Sequence, residues 1–217
     1  MPASDDRAVG RAGEPNSPDA VRSWIDANVA TRDRFGHVRD ATDEHRRRHG
    51  CVAHPTGNAA LLGVLAGALR AQRVLELGCG LGYSALWLAH GTGPGGVVES
   101  VDHDAGHVDL ARRHVADEGY QDRVRVVLAD ATAALEGRRE PCDLVFLDAS
   151  VPSPALLDPL AELVRAGGFL VSANLFLARH DPNLPGLGEA AAYRTALLDD
   201  DRWLTSFAGE KAISLRR

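Results

Sequence analysis

The stretch that most constrains this chain reads Val-Leu-Glu-Leu-Gly-Cys-Gly-Leu-Gly-Tyr-Ser-Ala-Leu-Trp-Leu-Ala and runs from Val74 to Ala89. A short apolar run, Val74 to Leu77, breaks into glycines at Gly78, Gly80 and Gly82, and a helical pattern with Leu86, Trp87 and Leu88 follows. Strand, tight glycine turn and helix in succession form a unit that cradles a nucleotide. The glycines let the backbone approach a ligand, and the helix N-terminus offers free N–H groups.

From Arg73 onward, strand and helix patterns alternate, which implies a parallel sheet with covering helices. The patterns predict strands at 73–77, 97–101, 123–128, 143–148 and 168–173, with helices at 83–90, 105–118, 131–136 and 154–165 between them. A loop at 178–188 leads to a helix, 189–199, and to two strands, 202–208 and 210–216, that meet around Ala208-Gly209 as an antiparallel hairpin. Ahead of the sheet, Ser17-Pro18-Asp19 starts a helix reaching about Phe35, with Ser17 as N-cap and Pro18 at its first position. A charged helix over 37–49 and an apolar one over 56–69 follow. Residues 1–16 are small, polar and proline-punctuated and read as a disordered tail. The expected fold is one α/β domain over 17–217: a Rossmann-like, seven-stranded, mostly parallel sheet with an antiparallel last strand, helices on both faces and an N-terminal helical cap.

The 217 residues suit a single core, and a formal net charge of −6 argues against a large nucleic-acid footprint. No apolar run is long enough to span a bilayer, and no apolar leader precedes the first helix. Cys51, Cys79 and Cys142 are odd in number and lack metal-type spacing, so they read as reduced thiols of a cytoplasmic protein. His45 and His49, at i and i+4, could share a metal, but the local sequence offers no third ligand and their neighbours are solvated charges.

The glycine spacing is G-x-G-x-G, with Tyr83 where a dinucleotide fingerprint needs its third glycine. Glu76, an acid at the strand end facing a glycine loop, suits a ligand carrying ammonium or sulfonium charge. S-adenosylmethionine answers that description better than a nicotinamide dinucleotide. Ligands of open α/β sheets sit beyond the carboxyl ends of the strands. Those ends carry Glu76 with the glycine turn, Asp102 about 20 residues on, where a carboxylate would meet ribose hydroxyls, Asp130-Ala131, Asp148, and Ala173-Asn174. Asp130 has an equally good reading as a turn former or helix cap.

Leu75-Glu76-Leu77-Gly78 with Gly82-Tyr83-Ser84, then Val101-Asp102, then Asp143 to Ala149, resembles the class I S-adenosylmethionine-dependent O-methyltransferases. More narrowly, it resembles the cation-dependent catechol and caffeoyl-CoA group with its small bacterial relatives. The resemblance implies that Glu76, Gly78, Cys79, Gly80 and Ser84 hold the methionine end of the cofactor, Asp102 the ribose, and Asp130 and Ala131 the adenine. It implies that the backbone near Val52 meets the cofactor and that Asp148 touches both cofactor and metal. It also implies a homodimer and a small-molecule acceptor.

Two departures from that family stand out. Its Asp-Ala-Asp-Lys reads Asp148-Ala149-Ser150-Val151 here, and its second metal ligand is Ala173, leaving Asp148 and Asn174 of the metal set. Lys211 is the chain's only lysine, and its place on the last strand sets it aside as a substitute. Mg²⁺ dependence is therefore expected to be weakened or absent, with His180 in the loop after strand five as the first candidate base and His54 the second. The expected reaction is methyl transfer to a hydroxyl of a small aromatic or catechol-like acceptor. Transfer to nitrogen or another small metabolite, and cofactor binding without catalysis, stay open.

Overall fold

The computed structural model describes residues 17–136, 138, 140–148, 151–179 and 181–217. The chain separates at Gly36 into two units, and the second, from His37, carries the sheet. In the first, α1 (Pro18–Thr31) begins where predicted, with the Ser17 hydroxyl accepting from the Ala20 amide at 3.2 Å. Its residues Val21, Trp24 and Ile25, spaced as an apolar face, are exposed. The predicted tail at 1–16 lies outside the described residues.

The second unit runs α2 (Gly36–His49), α3 (Ala60–Ala68), β1 (Arg73–Leu77), α4 (Tyr83–Thr92), β2 (Val97–Asp102), α5 (Ala105–Asp117), β3 (Val124–Leu128), α6 (Ala131–Leu135), β4 (Cys142–Leu147), α7 (Leu157–Leu163), β5 (Val164–Ser172), α8 (Leu187–Asp199), β6 (Trp203–Ala208) and β7 (Lys211–Arg216). The seven strands lie in the order β3-β2-β1-β4-β5-β7-β6. All neighbouring pairs from β3 to β5 are parallel, and β7 runs antiparallel to both β5 and β6. The predicted Rossmann-like, seven-stranded, mostly parallel sheet with its antiparallel last strand therefore stands. Among the described residues no helix is long and apolar enough to cross a membrane.

Three boundaries differ from the pattern by about four residues, the first being that α1 ends at Thr31 and not about Phe35. The third helix starts at Ala60, four residues late, because Thr56 to Asn58 belong to a loop in which Asn58 takes a left-handed φ of 50°. β5 starts at Val164, where helical periodicity was expected to continue, since Val164 pairs with Cys142 before a register shift lets Phe169 pair with Leu144.

The central strands are apolar on both faces, as a sheet covered on both sides requires. Leu75, Leu77, Val145, Leu147 and Leu170 bury against Leu160, Tyr193 and Leu197 from the helices. On the other face α3 and α4 approach so closely that a side chain on Gly91 would collide with the Gly63 carbonyl. At the amino end of the sheet, Asp143 accepts from the Gln72 amide at 2.7 Å and the Arg73 amide at 2.9 Å, fixing β4 to the start of β1. The chain winds outward from β1 through β2 to β3, then returns to β4 on β1's other side. The reversal opens a crevice at the carboxyl ends of β1 and β4, where such sheets bind ligands.

Candidate active site

Glu76 lies on β1, one residue before its end, with 0 % exposure. Parallel register sets it directly beside Ser100 of β2, whose hydroxyl donates to its Oε2. Among the described residues, none hydrogen-bonds its buried Oε1. Burial raises the Glu76 carboxyl to about 7, against the pull of the Ser100 and Ser84 hydroxyls and with help from the Asp148 and Asp102 charges. A buried carboxylate with an unused oxygen is costly unless a cation or donor completes it.

The glycine turn follows. Gly78, Gly80 and Gly82 take φ of 97°, 47° and 91°, in the region that side chains resist. The Gly78 and Cys79 amides both donate to the Val101 carbonyl, at 2.8 and 3.1 Å, which holds the turn against the end of β2. A methyl group on Gly82 would meet Ala111 at 3.3 Å, so the third glycine allows α5 to pack against the turn. Asp102 completes the arrangement: its Oδ2 accepts from the Gly80 amide at 2.9 Å and its Oδ1 from the Asp104 amide at 3.0 Å. Ser84 is buried in the first turn of α4. Burial, then the Glu76 and Asp102 carboxylates, push the Cys79 thiol far up, so it stays protonated.

The sequence-predicted adenine side divides. Asp130 is exposed, and its Oδ1 accepts from the Thr132 amide at 2.8 Å and the Ala133 amide at 3.2 Å, capping α6. Its cap reading is thereby the one in use. Ala131, the first residue of α6, is half-buried. Val52 is 88 % exposed, while its neighbour Ala53 is buried where a side chain on Gly80 would touch it. The loop carrying Val52 therefore lies over the glycine turn.

The second half of the crevice is the end of β4 and β5. The Asp148 amide donates to the Leu77 carbonyl at 2.8 Å, tying the β4 end to the β1 end. The Asn174 amide nitrogen donates to Asp148 Oδ1 at 3.0 Å and to its carbonyl at 3.2 Å, from a left-handed backbone with φ of 60°. Ala173 is buried and offers no ligand. Lys211, set aside on sequence, returns here. β7 lies between β5 and β6, so its first residue comes to the Asp148 end of the sheet. Lys211 is 9 % exposed, its Nζ donates to the Gly57 carbonyl at 2.6 Å, and its charge acts on Asp148. Burial raises the Asp148 carboxyl to about 7 against the Lys211 and Asn174 interactions, and burial lowers Lys211 against Asp148 and Glu210.

The sequence profile described as O-methyltransferase matches residues 29–180. The chain belongs to the O-methyltransferase family. It is 34 % identical over 172 residues to the catechol O-methyltransferase of Mycobacterium tuberculosis, covering 77 % of this chain and 76 % of that protein. A cofactor-bound protein from MTB superposes with a TM-score of 0.74 at 28 % identity, over 94 % of this chain and 99 % of that one. The O-methyltransferase of Bacillus cereus in complex with SAH gives a TM-score of 0.73 at 22 % identity, over 90 % and 99 %, which speaks for the fold alone.

In this O-methyltransferase, His180 and His54 were the sequence's candidates for the base. His180 lies outside the described residues, as do Ala149 and Ser150. His54 is exposed, with its Nδ1 at 3.0 Å from the Pro55 carbonyl. Sequence reasoning missed Ser100, whose one signal was a hydroxyl in a strand otherwise of valines and acids, and it missed the position of Lys211 at the Asp148 end of the sheet. It also found no third ligand for His45, whereas folding brings Cys51 and His107 to it.

Proposed function

We propose that this O-methyltransferase transfers the methyl group of S-adenosylmethionine to a hydroxyl of a small aromatic, catechol-like acceptor without a divalent metal. The observation that carries the reading is the set Asp148, Asn174, Ala173 and Lys211. Asp148 and Asn174 are hydrogen-bonded to each other, Ala173 contributes no donor, and the charge of the Lys211 ammonium acts on Asp148. Mg²⁺ is ordinarily held by carboxylates, waters and substrate oxygens in octahedral array, and this donor set does not fit it.

S-adenosylmethionine, in contrast, fits. The unpartnered Glu76 Oε1 suits the cofactor's ammonium group, the left-handed glycines leave the backbone bare for its methionine end, and Asp102 keeps lone pairs for ribose hydroxyls. Ala131 and the loop at Val52 would bound the adenine. When bound, the cofactor presents a methyl group on a positively charged sulfur, from which it passes to the acceptor oxygen. The protein holds acceptor and methyl donor in line, where effective molarities of about 10⁵–10⁸ M are attainable. Asp148, poised at about 7, accepts the hydroxyl proton at neutral pH. The Lys211 ammonium stabilises the oxyanion that develops as the proton leaves.

The relative named catechol O-methyltransferase supports the acceptor class. The test is methyl transfer from labelled S-adenosylmethionine to a panel of catechols and acidic phenols, with EDTA and with added Mg²⁺. Equal turnover in both is expected. Turnover abolished by EDTA and fully restored by Mg²⁺ would overturn the metal-free reading.

A further inference from the structure

Among the described residues, one cluster beside Asp102 combines ligand types that the proposed reaction leaves unused. The ligand atoms of His45, Cys51 and His107 all lie within 4.8 Å of one another. They come from three elements: His45 from the last turns of α2, Cys51 from the loop beyond it, and His107 from the first turn of α5. The sequence places His45 and His107 62 positions apart, so only the packing of α2 near the start of α5 assembles them.

We propose that His45, Cys51 and His107 form a zinc site with one open position. Two imidazoles and a thiolate are the donor set of a borderline-soft, tetrahedral divalent ion, and a site with three protein ligands leaves the fourth position for water. A tetrahedral ion about 2.0–2.3 Å from each ligand needs donor separations of ~3.5 Å, so side-chain rotations of about 1 Å close the set. His107 is only 6 % exposed, and its Nδ1 faces Asp102 Oδ1 at 3.7 Å. A carboxylate behind one imidazole nitrogen orients the other toward a metal, the usual support of a ligating histidine. His45 meets His107 edge to ring at 5.3 Å between centres, so the two rings are neighbours without being stacked. Cys51 is half-buried, whereas Cys79 and Cys142 are buried elsewhere, so the thiol at the cluster is the one an ion can reach. The ion would tie the loop of Cys51, Val52 and Ala53 to the first turn of α5, beside Asp102.

The experiment is titration of the untagged, metal-stripped full chain with Co²⁺, followed by displacement with Zn²⁺. One equivalent of Co²⁺ should bind at micromolar concentration and develop a thiolate-to-cobalt charge-transfer band with tetrahedral visible bands, all removed by Zn²⁺. Cys51→Ser should abolish the charge-transfer band, His107→Gln should weaken binding at least about tenfold, and His49→Ala, on the same helix but outside the set, should leave both unchanged. On the wild-type chain, Zn²⁺ should protect Cys51 from alkylation, a readout that does not depend on any variant folding. Absence of saturable binding at micromolar metal, a thiolate band that persists in Cys51→Ser, or alkylation of Cys51 at the same rate with and without Zn²⁺ would each overturn the proposal.

Discussion

At the carboxyl ends of β1 and β2 the crevice is made from neighbours in sequence and register: Glu76 beside Ser100, a glycine turn hung on the Val101 carbonyl, and Asp102 gripping the Gly80 amide. At the ends of β4 and β5 the same crevice is made from distant pieces. Asp148 and Asn174 meet there from adjacent strands, and Lys211 arrives from β7, anchored to a carbonyl 154 residues earlier in the chain. The first half is backbone geometry, which a ligand's polar groups can use with little rearrangement. The second is a balance of charges, and its chemistry follows from which charges the fold delivers. Both halves hold a carboxyl raised to about 7 by burial, but Glu76 is opposed by hydroxyls and Asp148 by an ammonium and an amide.

The largest effect expected from breaking this contrast is at Lys211. Lys211→Met should lower kcat on the order of 10³-fold, within the range for a group acting on a developing charge or proton, while cofactor affinity by calorimetry stays unchanged. The acid limb of its pH–rate profile should also move upward, because Asp148 loses the charge that holds its carboxyl down. A matching loss of cofactor affinity would show that the two halves are not separable. Asp102→Ala is the converse. It should weaken S-adenosylmethionine binding on the order of 100-fold, about 2.7 kcal/mol, because the proposed ribose contact would go together with the anchor of Gly80.

Glu76 gives a pH signature. Its carboxyl sits at about 7 in the folded protein against an ordinary value of 4.5, so the folded state binds the proton more tightly. Its contribution is therefore fully present below 4.5 and is lost as pH rises through about 7, up to roughly 3 kcal/mol in the cofactor-free protein. Urea unfolding at several pH values should show that fall in the wild type and a shallower one in Glu76→Gln. The difference isolates Glu76 from Asp148, which titrates in the same direction. The smallest effect is at Asp130: Asp130→Ala should cost about 1 kcal/mol in thermal unfolding through the lost α6 cap, with cofactor affinity altered less than about threefold. A larger loss of affinity would return Asp130 to the adenine site.

Much of the cofactor half was legible in the sequence, because strand, glycine turn and helix are local and positive φ has few residues to choose from. The periodicities likewise placed every strand to within a few residues. The start of β5 escaped because Val164 pairs with Cys142 ahead of a register shift, before pairing resumes at Phe169, and no local pattern records that shift. The sequence also marked Ala173 and Val151 as departures, since a missing ligand is visible as a missing letter.

What tertiary structure alone decided is what replaces those letters. Insertion of β7 between β5 and β6 carries Lys211 to Asp148, and docking of α2 and its loop near α5 carries His45 and Cys51 to His107. The sequence determined the strands, the turn and the acids at their ends, because each depends on residues a few positions apart. Strand order and helix docking determined the charges around those acids, because electrostatic interactions act through space and take no account of distance along the chain.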